Sequence, residues 1–353
     1  MKLLRPFGLV CFLVLLFACC GVARVGEAKA AAKAKATPDE KAWDAVVLLQ
    51  RAGKLPQAEK AATALVEART EAQGAEEKGT LQARHLLAQI LYSEGRSAEA
   101  EVQARALLPL FTKAFGAEDR ETLNCQTTLV AALSEQGKHS AAEKLNRRLI
   151  AAYARTIGAA DRDTLLARSN EAQLLHHLGK EKDCAKECRA LLPAAESALG
   201  PKDKLTLHVG MMLAESLYQQ KKYAEAEAQF RAEIPRISEV YGAKNRLTIS
   251  ARRELARAVM MDGRYVEAEN DFRKTLAAAE SALGAADADT LRLCHQLAEV
   301  LRAQGKKAEA LPYAQRALTG RTKVYGKDDV RTKASQQLVD DLSKAQAAAQ
   351  AKE

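Results

Sequence analysis

Apolar residues recur along this chain in a pattern that repeats every 42 positions. After an evenly spaced series of threonines, apolar side chains follow at one, seven, eight and eleven residues, as in Leu207, Leu213, Ala214 and Leu217. Residues at this spacing share one face of an α-helix. A second apolar segment follows each one and keeps a large residue at Leu108, Ile150, Leu192, Ile234, Leu276 and Leu318. The pattern therefore predicts pairs of helices, each with one stripe to bury.

Two columns of glycine show the same period. In the first, a threonine follows a glycine six residues later: Gly74/Thr80, Gly116/Thr122, Gly158/Thr164, Gly200/Thr206, Gly242/Thr248, Gly284/Thr290 and Gly326/Thr332. The second column is Gly53, Gly95, Gly137, Gly179, Gly263 and Gly305, with Lys221 where one glycine is missing. Glycine adopts positive φ without a steric penalty, so both columns predict turns. Two columns with one period indicate a repeat architecture.

Helix boundaries follow from the residues around these turns. Asx residues lie three positions before the threonine and predict N-caps: Asp119, Asp161, Asp203, Asn245 and Asp287. The predicted helix pairs span about 37–73, 78–115, 120–157, 162–199, 204–241, 246–283 and 288–325, with a capping helix from 329 and a frayed tail over 341–353. A helix pair cannot bury its stripe alone, so neighbouring pairs must stack. We predict an all-α, right-handed superhelical solenoid of about seven helix–turn–helix repeats plus a C-terminal capping helix.

The order Leu-Ala, Leu, Gly-Lys or Gly-Arg, then Ala-Glu resembles tetratricopeptide repeats. The 42-residue period and the Gly-x5-Thr-Leu link resemble the kinesin-light-chain subtype, over roughly residues 38–340 and most clearly over 206–230 and 290–310. The resemblance implies a groove that binds a peptide or protein segment. Two departures are Glu171, in place of Leu, and Cys184-Ala185, in place of Ala-Glu. The Asn-Asn pair that precedes Leu-Ala in that family survives here only as Asn170, so the family's cargo specificity does not carry over.

The first 23 residues predict an export signal. Lys2 and Arg5 precede an apolar run over 7–20, which is shorter than the ~20 residues of a spanning helix. Three readings of this segment stay open: lipidation at Cys19 after a lipobox-like Leu-Phe-Ala, cleavage at a small-x-small site ending at Ala23 or Ala30, and an uncleaved anchor over 6–23. Residues 24–36 form an Ala/Lys-rich tether. We therefore expect an exported protein that is periplasmic or membrane-anchored in a bacterial envelope, or secreted, with a membrane tether possible only through the N-terminus.

Composition adds little to the class of protein. The net charge is +9, but 54 Lys and Arg are mixed with 45 Asp and Glu along the chain, as on a solvated helical surface. We predict no nucleic-acid partner; the alternative that the charge leaves open is a basic envelope-associated binder of anionic surfaces or polymers. The sequence contains no constellation for a nucleophile, paired catalytic carboxylates or a phosphate loop, so we predict neither an enzyme nor a cofactor.

Four residues are weak candidates for a metal site: His176, His177, Cys184 and Cys188. Zinc or copper would suit this ligand set. However, Cys184 occupies the repeat position of Ala100 and Ala226, and Cys188 that of Phe230, so both cysteines are predicted to lie in the core. We therefore predict no metal, and a metal-binding module is a less favoured alternative.

The predicted ligand site is the part of the groove formed by the last three full repeats. Its candidate residues are Met211, Tyr218, Arg253, Arg257, Met260, Arg292 and Arg302. Equivalent positions of earlier repeats are polar and uncharged: Gln82, His85, Gln89, Tyr92, Asn124, Thr127 and Ser134. Guanidinium groups bind carboxylates in a bidentate manner. The hypothesis is that a monomeric scaffold docks an acidic or C-terminal peptide segment there.

Overall fold

The computed structural model describes residues 37–350, and within this range every regular element is an α-helix. There are fifteen helices in the described range: α1 (Pro38–Arg51), α2 (Leu55–Gln73), α3 (Lys78–Ser93), α4 (Ser97–Phe115), α5 (Arg120–Glu135), α6 (His139–Thr156), α7 (Arg162–His177), α8 (Glu181–Leu199), α9 (Lys204–Gln219), α10 (Tyr223–Tyr241), α11 (Arg246–Met261), α12 (Tyr265–Leu283), α13 (Ala288–Ala303), α14 (Lys307–Tyr325) and α15 (Val330–Gln350). Odd-numbered helices are the A helices of the repeats and even-numbered ones the B helices. The predicted helix–turn–helix solenoid is confirmed.

The features predicted at the N-terminus lie outside the described residues: the export signal, Cys19 and the tether over 24–36. Among the helices that the structure describes, none combines the length and the apolar character needed to cross a membrane. At the other end, α15 continues to Gln350, whereas the sequence analysis ended the fold at residue 340 and expected a frayed tail from 341. Leu338 and Leu342 of α15 are buried, as expected of a helix that covers the end of a core.

The chain divides into two compact units, residues up to 206 and residues from 207 on, with the boundary inside α9. We call them unit 1 and unit 2. Within each unit, A and B helices pack against their neighbours in chain order, and successive A helices also contact one another, as do α3 and α5 in unit 1 and α11 and α13 in unit 2. Each unit is thus a stack of helical hairpins that share one continuous buried seam.

The Gly-x5-Thr motif forms a hydrogen-bonded link at three junctions between repeats. The hydroxyl of Thr122 donates to the carbonyl oxygen of Gly116 at 2.7 Å. Thr164 and Gly158 repeat this bond at 2.7 Å, and Thr248 and Gly242 at 2.8 Å. The threonine hydroxyl satisfies a carbonyl that the end of the B helix leaves without a helical partner. The bond favours this spacing where it forms, whereas the hydroxyls of Thr206, Thr290 and Thr332 are buried without a hydrogen-bond partner among the described residues.

The turns between A and B helices confirm the second glycine column. Its glycines have positive φ, for example 81° at Gly95 and 85° at Gly263. Lys221, the exception in this column, has a φ of 63° and is the one residue other than glycine with positive φ in the described range. The αL conformation is more strained for lysine than for glycine. The geometry of the turn is therefore kept even where its preferred residue is absent.

The core interpretation of the two cysteines is confirmed. Cys184 is fully buried like Ala100 and Ala226, and Cys188 is fully buried like Phe230. One detail of the B helices differs from the prediction. Their most buried large residues lie one position before the predicted column: Leu107, Leu149 and Leu191 are fully buried. Leu108 and Ile150 of the predicted column are only partly buried against this core. A helical stripe is wide enough for either position to fit the apolar spacing, and tertiary packing selects the inner one.

The recurring Ala-Glu and Gly-Lys or Gly-Arg pairs form an ionic ladder at the turns. The glutamate of one repeat accepts from the basic residue 37 positions later: Glu59 from Arg96, Glu101 from Lys138, Glu143 from Lys180, Glu227 from Arg264 and Glu269 from Lys306. The hydrogen bond from Lys138 is the main cause that lowers the pKa of Glu101 to about 2. The bonded lysines are half exposed, so each pair contributes on the order of 0–1 kcal/mol.

Glu171, which departs from the repeat pattern, has local compensation. Its carboxylate accepts from the side-chain amide of Asn146 at 3.0 Å and from Nε of Arg147 at 2.7 Å. Asn146 is itself fully buried and also donates to the carbonyl oxygen of Ala167. A buried carboxylate is tolerated when its lone pairs are filled in this way.

Candidate functional site

The A helices of unit 2 bring Tyr218 and Arg257 together. The guanidinium carbon of Arg257 lies 4.5 Å from the centre of the Tyr218 ring, and Tyr223 packs edge-on against the same ring at 5.5 Å. Tyr218 is half-buried, and this burial raises the pKa of its hydroxyl despite the opposing effect of Arg257. This cation–π contact places the guanidinium group over the aromatic ring, so a ligand could meet both groups together.

Arg253 does not lie exposed in a groove, as the sequence analysis expected. Only 1% of its side chain is exposed, and it donates to Glu254 at 2.5 Å and to Asp289 at 3.3 Å. Glu254 also accepts from Arg257. Burial favours the neutral form of Glu254, but Arg257 and Arg253 outweigh it and lower the pKa of this carboxyl. The physical reason for the correction is that α13 packs over this position and supplies Asp289 as a partner.

Arg292 and Arg302 keep more exposure. About a quarter of the Arg292 side chain and nearly half of the Arg302 side chain are exposed. Arg292 has a single carboxylate partner, Asp289 at 3.5 Å, which also serves Arg246 and Arg253. Burial and then the charge of Arg253 lower the pKa of Arg292. Asp289 is therefore shared by three guanidinium groups, and this part of unit 2 carries more positive than negative charge.

The two candidate methionines differ in exposure. Met211 is buried, with 6% of its surface exposed, so it belongs to the core and not to an exposed groove. Met260 is half-buried, and Met261 next to it is exposed. Thioether side chains adapt to irregular apolar neighbours. Of the two methionines that the sequence nominated, only Met260 can present apolar surface to a ligand.

Unit 1 carries neutral hydrogen bonds at the corresponding positions. A ring nitrogen of His85 bonds to the Thr128 hydroxyl at 2.8 Å. Burial lowers the pKa of His85 to about 4, so the imidazole is uncharged at neutral pH. The Tyr153 hydroxyl donates to the side-chain carbonyl of Asn124 at 2.9 Å. The predicted change from a neutral to a charged face along the chain is thus present in the side-chain contacts, although much of the charge in unit 2 is internally paired.

The four metal candidates do not converge. Cys184 and Cys188 are buried thiols, and a hydrogen bond with Cys184 together with burial raises the pKa of Cys188. His176 bonds to Glu181 at 2.9 Å, and His177 stacks on His139 with ring centres 4.7 Å apart. Within residues 37–350, no three His, Cys, Asp or Glu side chains are arranged to hold a metal ion.

Sequence reasoning missed three residues that shape this face: Glu254, Asp289 and Arg321. Glu254 stands next to Arg253 in the sequence, but adjacency on a helix does not by itself indicate a contact. Asp289 lies 36 residues after Arg253, and only the packing of α11 against α13 brings them together. Arg321 lies on a B helix, where no ligand residue was sought. The sequence signal for it was an arginine in a column that is otherwise mostly apolar.

Family models for the tetratricopeptide repeat match residues 205–281 and 247–323 in one case and 122–163 in another. Together with the hairpin stacks described above, they show that the chain contains tetratricopeptide repeats in these ranges.

Several solved structures are similar in fold. A putative kinesin light chain from Podospora anserina with nearly identical repeats has 18% identity and a TM-score of 0.51, covering 57% of this chain and 95% of its own. The apo quorum sensor NprR from B. thuringiensis has 15% identity and a TM-score of 0.63, covering 85% and 78%. NprR in complex with its cognate peptide NprX has 14% identity and a TM-score of 0.53, covering 85% and 81%. A search of curated protein sequences found no significant match.

Proposed function

We propose that unit 2 binds a peptide or protein segment on its A-helix face, and that the protein acts as an interaction scaffold and not as an enzyme. The observation that carries this proposal is the partly exposed set Tyr218, Arg257, Met260, Arg292 and Arg302, which combines an aromatic ring, an apolar surface and incompletely neutralised cations. Anchors of this kind dominate binding energy at protein interfaces. NprR, which has a similar fold and was solved with its cognate peptide, supports peptide binding by a fold of this kind.

The partner we expect is acidic. Arg292 shares its only carboxylate with two other arginines, and Arg302 reaches only Asp341, at 3.5 Å. A ligand carboxylate would complete the charge balance of either side chain without displacing a strong internal ion pair. Arg253, in contrast, already has two carboxylate partners and would act by holding Glu254 and Asp289 in place.

The proposed setting is a bacterial envelope or the exterior of the cell. This part rests on the charged and apolar pattern of the first 23 residues, with Cys19 as the candidate lipidated residue. Cell fractionation of the full chain and of a Cys19→Ser variant tests it. Recovery of both from the cytoplasm, with the N-terminus intact, would contradict export; release of the variant alone from membranes would identify the lipid anchor.

The binding test compares two double variants that each remove two positive charges. Arg292→Ala/Arg302→Ala alters the proposed face, whereas Lys144→Ala/Arg148→Ala alters exposed residues of unit 1. The probe is a fluorescent Glu-rich decapeptide, with the Gln-substituted peptide as its neutral counterpart. We expect a loss of affinity of at least about tenfold for the first variant alone, since charge-assisted hydrogen bonds contribute about 1.5–3 kcal/mol each. Equal loss in both variants would indicate non-specific attraction.

The alternative function, binding to anionic surfaces or polymers, uses net charge and not a defined face. It predicts that affinity for anionic vesicles falls steeply between low and moderate salt, and that both double variants weaken it equally. A monomer is expected in solution, and sedimentation of the full chain tests that expectation.

A further inference from the structure

Arg321 occupies a position that apolar or aromatic side chains fill in most other repeats. Phe111, Tyr153, Ile237 and Ala279 hold the same place one to five periods earlier, and all are buried. Arg321 is itself 6% exposed, near the C-terminal end of α14. Its Nη1 donates to the carbonyl oxygen of Arg331 at 2.9 Å and to the hydroxyl of Ser335 at 2.8 Å. These two bonds fix the side chain against the start of α15.

The rest of the Arg321 guanidinium has no acidic partner. No carboxylate of the described residues lies within ion-pair distance, and Nε and Nη2 donate to no atom of the described chain. These two groups are also absent from the polar atoms sealed inside the protein, unlike Nε of Arg253. Burial and then the nearby charge of Arg292 lower the pKa of Arg321 to about 10. A guanidinium with this much burial normally has a paired anion.

The charges around Arg321 are mixed: Arg292 and Arg331 lower its pKa, and Glu299 acts in the opposite direction. Arg331 stacks on Tyr325 with its guanidinium carbon 3.5 Å from the ring centre, and it pairs with Asp329. His295 is neutral, because burial lowers its pKa to about 3. Burial raises the pKa of Glu299, and its carboxyl attracts Arg321 at longer range without forming a hydrogen bond or a close ion pair with it.

Arg69 occupies the same repeat position as Arg321, and its guanidinium group does bind a carboxylate. Arg69 stands six periods before Arg321, and its Nη1 also donates to a backbone carbonyl ten residues later, that of Gly79 at 2.7 Å. Its Nε and Nη2 form a bidentate pair with the two carboxylate oxygens of Asp39, each at 2.8 Å. The same two donors that bind a carboxylate at Arg69 are the ones left over at Arg321.

We propose that Nε and Nη2 of Arg321 form a binding site for a single carboxylate of a ligand, with Arg292 as a second cation beside it. This site goes beyond the proposed peptide-binding face, because it lies on a B helix at the junction of α13, α14 and α15 and is specified by bidentate geometry. Two sources share this chemistry: the C-terminus of a peptide and a small organic acid.

The test observes the arginine Nε–H signals of the ¹⁵N-labelled full chain by NMR. Acetate is titrated at constant ionic strength against chloride, and sulfate is titrated in parallel. We expect a saturable shift of the Arg321 signal with acetate, while the Arg69 signal, already paired with Asp39, stays unchanged. A linear, non-saturating response, or sulfate binding as tight as acetate, would overturn the site.

Arg321→Lys is the decisive variant, because lysine keeps the charge and loses the two-pronged donor. Chemical shifts elsewhere in the spectrum report whether it folds, and Arg321→Met serves if lysine perturbs the core. We expect acetate affinity to fall at least about tenfold, whereas unchanged affinity contradicts the proposal. A short peptide with a free C-terminus should bind and its amidated form should not. Tighter binding of the free peptide than of acetate identifies a peptide terminus as the source, and equal binding identifies a small acid.

These outcomes are separable from those of the proposed function. The single variant Arg302→Ala removes a cation of the proposed peptide-binding face and leaves both Arg321 and Arg292 in place, so the loss of decapeptide binding with retained acetate binding separates the two sites. If Arg321→Lys loses acetate binding but keeps its affinity for the decapeptide, the Arg321 site exists independently of the peptide-binding face.

Discussion

His85 in unit 1 and Arg253 in unit 2 occupy the same repeat position, as do Thr128 and Glu254. In unit 1 the imidazole of His85 forms a neutral hydrogen bond with the hydroxyl of Thr128 from the next repeat. In unit 2 the adjacent residues Arg253 and Glu254 of one repeat form a buried ion pair that extends to Asp289 and Arg257. The helices, turns and ladders around both sets are alike. One backbone architecture therefore supports either a neutral or a charged interior on its A helices.

The difference has an energetic consequence. A neutral hydrogen bond contributes about 1 kcal/mol, and its loss is a modest defect. A buried charge requires its counter-ion, because an unpaired one is strongly destabilising. Unit 2 should thus be more sensitive to single substitutions than unit 1, and its surplus of arginines should make it the half that responds to anions.

The largest expected effect comes from Glu254→Gln. It leaves Arg253 buried with only Asp289, at 3.3 Å, as an acidic partner. We expect a loss of about 3–5 kcal/mol in the free energy of unfolding, measured by urea denaturation. The matched substitution in unit 1, Thr128→Val, should cost about 1 kcal/mol. If Thr128→Val proved the more damaging, the contrast between the units would be wrong.

Acid should destabilise both units through buried histidines. The pKa values of His85 and His208 are lowered to about 4, and that of His295 to about 3, in each case chiefly by burial. Their unfolded pKa is about 6.5, so between these values the unfolded state binds more protons and stability falls as the pH falls. Each histidine changes the free energy of unfolding by up to about 1.4 kcal/mol per pH unit in this range.

Denaturation at pH 7, 6 and 5 measures this slope. The window lies above the range in which carboxylates with lowered pKa values, such as Glu101 and Glu269, begin to lose their contribution. His85→Gln should flatten the part of the slope that belongs to unit 1, and His295→Gln the part that belongs to unit 2. A flat profile in the unsubstituted protein would show that these rings are not neutral in the fold.

Gly320→Ala should cost about 1–3 kcal/mol in unit 2. A Cβ at this position would overlap the side chain of Leu291, which is buried and would have to shift. Gly79→Ala in unit 1 is the control, since there the Cβ would meet only the amide end of Gln73, a flexible side chain. Helix propensity favours alanine at both sites, so the control should be neutral or slightly stabilising. Equal effects of the two substitutions would exclude the steric explanation.

The smallest effect, and one shared by both units, concerns the ladder. Lys306→Met removes the pair with Glu269, and Lys138→Met removes the equivalent pair with Glu101, each 2.7 Å long. Both lysines are half exposed, so each substitution should change the free energy of unfolding by about 0–1 kcal/mol and by the same amount. A large difference between them would mean that the ladder, too, differs between the units.

The sequence predicts the site only in part. Register alone placed Tyr218, Arg257, Arg292 and Arg302 on one type of helix and one face. The register could not indicate that Arg253 is buried, because the burial of this side chain depends on packing against another helix, which supplies Asp289. Nor could it identify Arg321, since the meaning of an arginine in a core column depends on whether an acid reaches it, as Asp39 reaches Arg69 and no described residue reaches Arg321.

The sequence by itself determined the repeat length, the helix pairs, the turns and the burial of Cys184 and Cys188. These properties follow from backbone geometry and from local periodicity, which each 42-residue unit encodes for itself. Only the tertiary structure decided which arginines are neutralised and which remain available. Charge balance is settled between side chains on different helices, at distances that no spacing along the chain prescribes.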